Sequence, residues 1–333
     1  MSSPDVIVIG AGVLGLSSAA TLATRGHAVT VVDPGGANAS SVAAGMIAPA
    51  METLGDLKGG MDHGALFQAA AGLWPGFAGT HGLILNREGA AWRGPGAGEV
   101  VETLTARGFT AHAVEEGFFA PNEARVDAGP ALAALADGIT MRAGRAARIA
   151  RDGDGRVVTL DDGEQLTARH VVVASGVGVA VSGPLSLEAL TGLITPIKGQ
   201  LAFTPERLGE QVVRGAAGYV APAGSGSVIG ATMQAGAADL AVDVAAGEAL
   251  VRGCLAMIGV DAVPTLEWRV GVRGASPDGL PMAGMVEPGL HVALAPRRNG
   301  WLLGPLVAQI VADGVEGRAP GEWAAALDPF RFG

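Results

Sequence analysis

Three glycines and one acid carry the most specific chemistry in this chain. Gly10, Gly12 and Gly15 form the pattern G-x-G-x-x-G, and Asp33 follows Gly15 by eighteen residues. At such a site the first glycine permits a tight turn. The second lets a pyrophosphate approach bare backbone, and the third lets the next helix pack close to a sheet. The amides opening that helix carry partial positive charge, which favours phosphate. The acid can accept hydrogen bonds from a ribose. With 53 glycines in 333 residues, the spacing alone arises easily by chance. Its flanks make it specific. VIVIG before it and AVTVVD after it read as two buried strands around one helix, from Val6 to Asp33. The pattern defines a dinucleotide cradle, and by itself it does not choose between NAD and FAD.

The bulk properties bound what surrounds this cradle. A chain of 333 residues is long for one core, so two domains are expected. Hydrophobic residues make up 49% and aromatic residues 4%, which suits an α/β protein with close helix–sheet contacts. A net charge of −10 argues against nucleic acid or an anionic membrane as partner. Cys254 is the single cysteine, which excludes an internal disulfide and a cysteine metal cluster. The six histidines are scattered, and no metal site is expected. The start lacks the basic stretch and cleavage site of a secretory leader, and the apolar stretch Trp301–Val311 is too short to span a bilayer. A soluble, cytoplasmic protein is expected.

Further elements must position the cradle and whatever lies opposite it. After Asp33 the chain runs through PGGANASSVAAGMIAPA, whose small residues suit a ligand-facing turn, with helical character over Ser40–Met46. Residues 51–62 read as a loop. A helix over Ala65–Trp74 is expected to stop at Pro75. Another follows near Glu99–Gly108, and a third begins at Asp127 with Pro130 in its first turn. Between Met141 and Gly176 come strands with hairpin turns at DGDG and DDG, ending in the buried strand HVVVASG. Short strands and the helix Val244–Ile258 lead into TLEWRVGVRG, which alternates: Trp268, Val270 and Val272 share one face, Arg269, Gly271 and Arg273 the other. A last helix opens at Asn299–Gly300. The expected fold is α/β (α+β). A Rossmann-like domain (1–80, 121–190, 271–333) is interleaved with a mainly antiparallel β substrate domain (81–120, 191–270).

Four separated pieces, VIVIGAGVLGLSSA…VVD, SSVAAGMIAP, VVVASG and GVRGASPDGLPMAG…LHVALAPRRNGWLLGP, resemble the FAD-dependent D-amino acid oxidase superfamily. Within it the likeness leans to the glycine oxidases of thiamine biosynthesis, supported by TPIKGQ and GYVAPAGSGSVIGATM. The resemblance spans nearly the whole chain and keeps the order of the motifs. It implies noncovalent FAD. Gly10, Gly12, Val13, Leu14 and Gly15 would hold the pyrophosphate, and Asp33 with Pro34 the ribose. Ser40, Ser41, Gly45, Met46 and Ile47 would line the flavin, with Ser175 and Gly176 also in the cofactor set. Ala147 would touch the adenine side through its backbone. Arg298, Asn299, Gly300, Trp301 and Leu302 would run past the ring, with the helix dipole toward its N1–C2 edge. A homo-oligomer is implied by analogy only.

The implied reaction is oxidation of a small amino acid: glycine, sarcosine or a D-amino acid. Hydride leaves the α-carbon for flavin N5, the imino acid hydrolyses to a 2-oxo acid, and oxygen takes the electrons to give peroxide. The alternative is a dehydrogenase that uses another acceptor. Arg273 matches the family's carboxylate clamp, since a guanidinium grips a carboxylate with two parallel bonds. Tyr219, the only tyrosine, matches a substrate-site hydroxyl. Arg298 would lie near substrate and flavin, and Met233 would line the pocket. One departure is Pro296 where glycine oxidases often carry histidine.

Overall fold

The computed structural model describes residues 4–177 and 181–333. The mixed α/β fold is built around two large sheets. The first has six strands in the order Met282–Glu287, Leu290–Leu294, His170–Val173, Val6–Ile9, Val29–Asp33 and Thr140–Ala143. All neighbours are parallel except the hairpin formed by the first two. Val6–Ile9 is fully buried because both of its faces are covered, as parallel sheets require. Val6 and Val8 pack under the helices Val13–Thr24 and Gly300–Val315. Ile7 and Ile9 pack on a three-stranded antiparallel sheet spanning Ala146–Ala168.

The second sheet has nine strands and supplies the wall opposite the cradle. Its ten-residue strand Thr195–Thr204 pairs with Glu267–Ala275 from Thr195 opposite Ala275 to Phe203 opposite Glu267. Its pairs are antiparallel save that of Val212–Gly215 with Ala90–Arg93. Residues 267–275 thus belong to this sheet, while 282–294 belong to the first. Among the described residues no helix is long and apolar enough to cross a membrane.

Helices expected at Asp127, Val244 and Asn299 form as Ala128–Ala136, Val244–Met257 and Gly300–Val315. Three expectations need correction. Residues 49–58 are a helix, not a loop: Pro49 stands at its first turn, Glu52 follows within that turn, and Lys58 closes the last. Pro75 does not end its helix, which runs from Gly64 to Thr80. A proline inside a helix costs about 3 kcal/mol. Burial of Phe67, Ala70, Trp74 and Ala78 on the C-terminal helix outweighs that cost. The helix near Ser40 stops at Val42, and Met46–Ile47 is a short strand. Gly45, with φ +68°, makes the break, and a Cβ there would lie 2.0 Å from the Val126 carbonyl oxygen.

His291 on Leu290–Leu294 is fully buried, with Nε2 3.3 Å from His170 Nδ1. Burial, then His170 and Arg156, push its imidazole down to about 3. The unfolded chain therefore binds a proton at this ring before the folded chain does. Stability present above the ordinary histidine value is lost as pH falls from about 6.5 toward 3. His291→Leu is expected to flatten that acid limb, read as Tm against pH.

Candidate active site

Two adjoining clefts lie between the sheets. The first, about 510 Å³, is lined by Gly10, Gly12, Val13, Leu14 and Asp33 on one side and by Ser40, Ser175, Gly176 and Gly300 on others. The second, about 480 Å³, is lined by Gly45, Met46, Tyr219, Met233 and Asn299. Arg273, Arg298, Gly271 and Trp301 line both. The strand Glu267–Ala275 and the start of the C-terminal helix therefore form the shared wall.

The first cleft fits a dinucleotide on its own geometry. Gly10 has φ +111°, and a Cβ on it would sit 2.4 Å from the Ala174 carbonyl oxygen. A Cβ on Gly15 would sit 2.0 Å from the Gly10 carbonyl oxygen, so the turn and the helix close on each other only without side chains. Asp33 accepts from Ala11 N at 2.7 Å through Oδ2 and from Gly35 N at 2.7 Å through Oδ1. Those bonds fix the carboxylate and leave lone pairs for ribose hydroxyls. Ser40 Oγ accepts from Val13 N at 3.0 Å, tying the small-residue loop to the helix start.

Several expected cofactor residues sit behind the lining. Ser41 closes a capping box with Asn38. Ile47 is buried in the pair with Ala124. Leu302 is buried, and its carbonyl accepts from Trp74 Nε1 at 3.1 Å. Pro34 is exposed beyond Asp33. Ala147 lies on the three-stranded sheet, where its carbonyl accepts from Ser182 N, away from both clefts.

In the second cleft Arg273 is held largely out of water. A Cβ on Gly199 would fall 2.5 Å from its Nη1 and Nη2, so the missing side chain on the neighbouring strand is the space the guanidinium fills. Nη1 is buried with no hydrogen-bond partner among the described residues. Burial lowers the guanidinium's affinity for its proton, while Tyr219 opposes that. Burial likewise pushes the Tyr219 hydroxyl up. A buried, unpaired cation beside a neutral phenol is a receptor for an anion.

Sequence reasoning missed the group that faces these residues. Glu52, on the helix Pro49–Lys58, receives a hydrogen bond from Arg214 Nη1 at 2.9 Å and another from Arg298 Nε. Burial pushes the Glu52 carboxyl up, but Arg214 and Arg298 outweigh it and hold it below the usual value. Gly55, one turn on, leaves room for Arg298 Nη2. Pro49 followed by Glu52, Lys58 and Gly59 was a readable start and stop for this helix. Nothing in the sequence flags Arg214, or Glu123, which caps the same helix by accepting from Ala50 N at 2.8 Å.

Burial pushes the Glu123 carboxyl up to about 8, against the Ala50 N–H that lowers it. In the folded protein it keeps a proton that the unfolded chain releases near 4.5. Its contribution is complete below 4.5 and is lost as pH rises through about 8. Glu123→Gln keeps an acceptor for Ala50 N and cannot ionise. The variant is expected to lose less Tm than the wild type across that window.

Comparison with known proteins gives the family and the fold. The family model DAO, FAD dependent oxidoreductase, matches residues 5–314, and the chain belongs to that family. It is an FAD-dependent oxidoreductase. The glycine oxidase of Geobacillus kaustophilus is 31% identical over 372 residues, covering 98% of this chain and 96% of that one. The crystal structure of glycine oxidase from the same organism superposes with a TM-score of 0.82 at 26% identity, covering 99% of both chains. The bifunctional protein ThiO/ThiG of a Nostoc species is 29% identical over 93% of this chain. A bifunctional MnmC protein of tRNA 5-methylaminomethyl-2-thiouridine biosynthesis, from a Caulobacter species, is 26% identical over 98% of it. The chain spans 52% and 57% of the length of those two relatives.

Proposed function

We propose that this enzyme oxidises the amine of a small amino acid (glycine, sarcosine or a D-amino acid), with oxygen as electron acceptor. The products are an imino acid, which water hydrolyses to a 2-oxo acid with release of ammonia (methylamine from sarcosine), and hydrogen peroxide. The observation that carries the reading is the buried Arg273 guanidinium with Nη1 unpaired, on the wall shared by both clefts. FAD supplies the two-electron acceptor. Arg273 binds the substrate carboxylate, and the Tyr219 hydroxyl donates to the same group. Between them they fix the α-carbon against the cofactor cleft, and positioning of this kind is worth many orders of magnitude in rate. Arg298 and the N-terminus of Gly300–Val315 supply positive potential on that wall. Met233 and Trp301 close it with apolar surface.

The likeness to glycine oxidase and ThiO/ThiG supports this substrate class and a place in thiamine biosynthesis. The net charge of −10 disfavours a tRNA substrate. The reading includes noncovalent FAD, a cytoplasmic setting, homo-oligomerisation and the interleaved domain division given above; that division includes residues 1–3 and 178–180, which lie outside the described residues. The test is an anaerobic amine panel. Glycine, sarcosine or a D-amino acid should bleach the flavin, and admitting oxygen should restore its colour with stoichiometric peroxide. Bleaching without peroxide would instead assign another acceptor.

A further inference from the structure

The substrate cleft holds more cationic groups than one carboxylate needs. Among the described residues, Arg214, Arg273, Arg298 and Lys58 line it, against the single acid Glu52. Arg273 is unpaired at Nη1. Arg214 and Arg298 share the one Glu52 carboxylate, so that trio keeps a net positive charge. The Arg214 side chain is 14% exposed and Glu52 8%. Holding surplus charge there is costly unless an anion arrives to match it.

Arg214 also stands where a substrate anchored at Arg273 would extend. On the second sheet Arg214 is directly opposite Tyr219, so their side chains are cross-strand neighbours on one face. Tyr219 in turn is close enough to Arg273 for each to affect the other's ionisation. The row runs from Arg273 past Tyr219 to Arg214 and on through Glu52 to Arg298. Each guanidinium has five N–H donors, and Glu52 occupies only one on Arg214 and one on Arg298 among the described residues.

We infer that the cleft carries a second carboxylate subsite, formed by Arg214 and Arg298 with Glu52 as their fixed counter-ion, and that the preferred substrate is a small amine bearing two carboxylates. The inference rests on the oxidase reading for the role of Arg273. It adds Arg214 as a specificity-determining residue.

The experiment uses the FAD-loaded full chain and has two arms. In the first, kcat/KM is compared for iminodiacetate and sarcosine, and for D-glutamate and D-alanine, with anaerobic flavin bleaching as readout. Each diacid should exceed its monocarboxylate partner by about tenfold or more, and Arg214→Met should cut that ratio about tenfold. Arg214→Lys, which keeps the charge, should restore part of it. In the second arm the wild-type flavin spectrum is titrated with succinate, glutarate and propionate, needing neither turnover nor a variant. The dicarboxylates should bind about tenfold tighter than propionate. Equal kcat/KM within each pair, or equal affinity in the titration, overturns the subsite. If no amine bleaches the flavin, the oxidase reading falls, and the titration still decides the subsite.

Discussion

Arg273→Met is expected to remove most turnover and leave the protein yellow. Among the described residues lining the proposed substrate cleft, its Nη1 is the buried side-chain nitrogen left without a hydrogen-bond partner, so a bound carboxylate would satisfy it. Truncating one partner of a buried charge-assisted pair costs about 2–5 kcal/mol, so kcat/KM should fall about a hundredfold or more, with the rise mainly in KM. Methionine fills the stem volume beside Gly199 without the charge. Removing a buried guanidinium whose Nη1 has no protein partner should leave the variant's Tm close to that of the wild type. Steady-state kinetics with a flavin spectrum checks both halves. Wild-type KM in the yellow variant would remove Arg273 from the site.

Gly10→Ala should do the reverse and strip the cofactor. Its φ of +111° is strained for any side chain, and the new methyl would press on the Ala174 carbonyl oxygen 2.4 Å away. Ala174 directly follows the strand His170–Val173, which pairs with Val6–Ile9, and its N–H donates to the Ile9 carbonyl, so neither side can yield without parting the central strands. A strained backbone of this kind costs about 1–3 kcal/mol before the clash is counted. The variant is expected to purify with little flavin and with a lower Tm in the apo form. A fully flavinated protein of unchanged Tm would show that the turn is looser than drawn. Gly12→Ala is milder for the fold alone, since among protein atoms its Cβ would meet only Ser40 Oγ at 3.2 Å, and its cost should fall on the pyrophosphate instead.

These two sites differ in how far the sequence disclosed them. The cradle was legible because a backbone ligand site needs glycines at fixed spacing between buried strands, and its centre, Val6 to Asp33, is one continuous stretch. The expected lining of Gly10, Gly12, Asp33, Ser40 and Gly300 does converge on one cleft. Arg273 and Tyr219 came from resemblance, since alternation alone would leave Arg273 as one more exposed strand cation beside Arg269. Glu52 stayed hidden for a different reason. Its meaning depends on Arg214 and Arg298, more than 160 and 240 residues away in the chain. No periodicity reports a contact of that range. Pro75 shows the same limit, because a local breaker was overridden by apolar burial on a distant helix.

The two walls of the substrate cleft differ in how freely they can be rewritten. Arg273 rides on a strand locked to its neighbour from Thr195 to Phe203, so its anchor point cannot drift without unzipping a sheet. Glu52 and Gly55 ride on a ten-residue helix secured mainly at its N-terminal end. Changes there would alter what lies opposite Arg273 while Arg273 itself stays put. If Arg273 is the carboxylate clamp proposed above, substitutions on this one short helix are where substrate preference would be rewritten, and an engineer seeking a new amine would have the same handle.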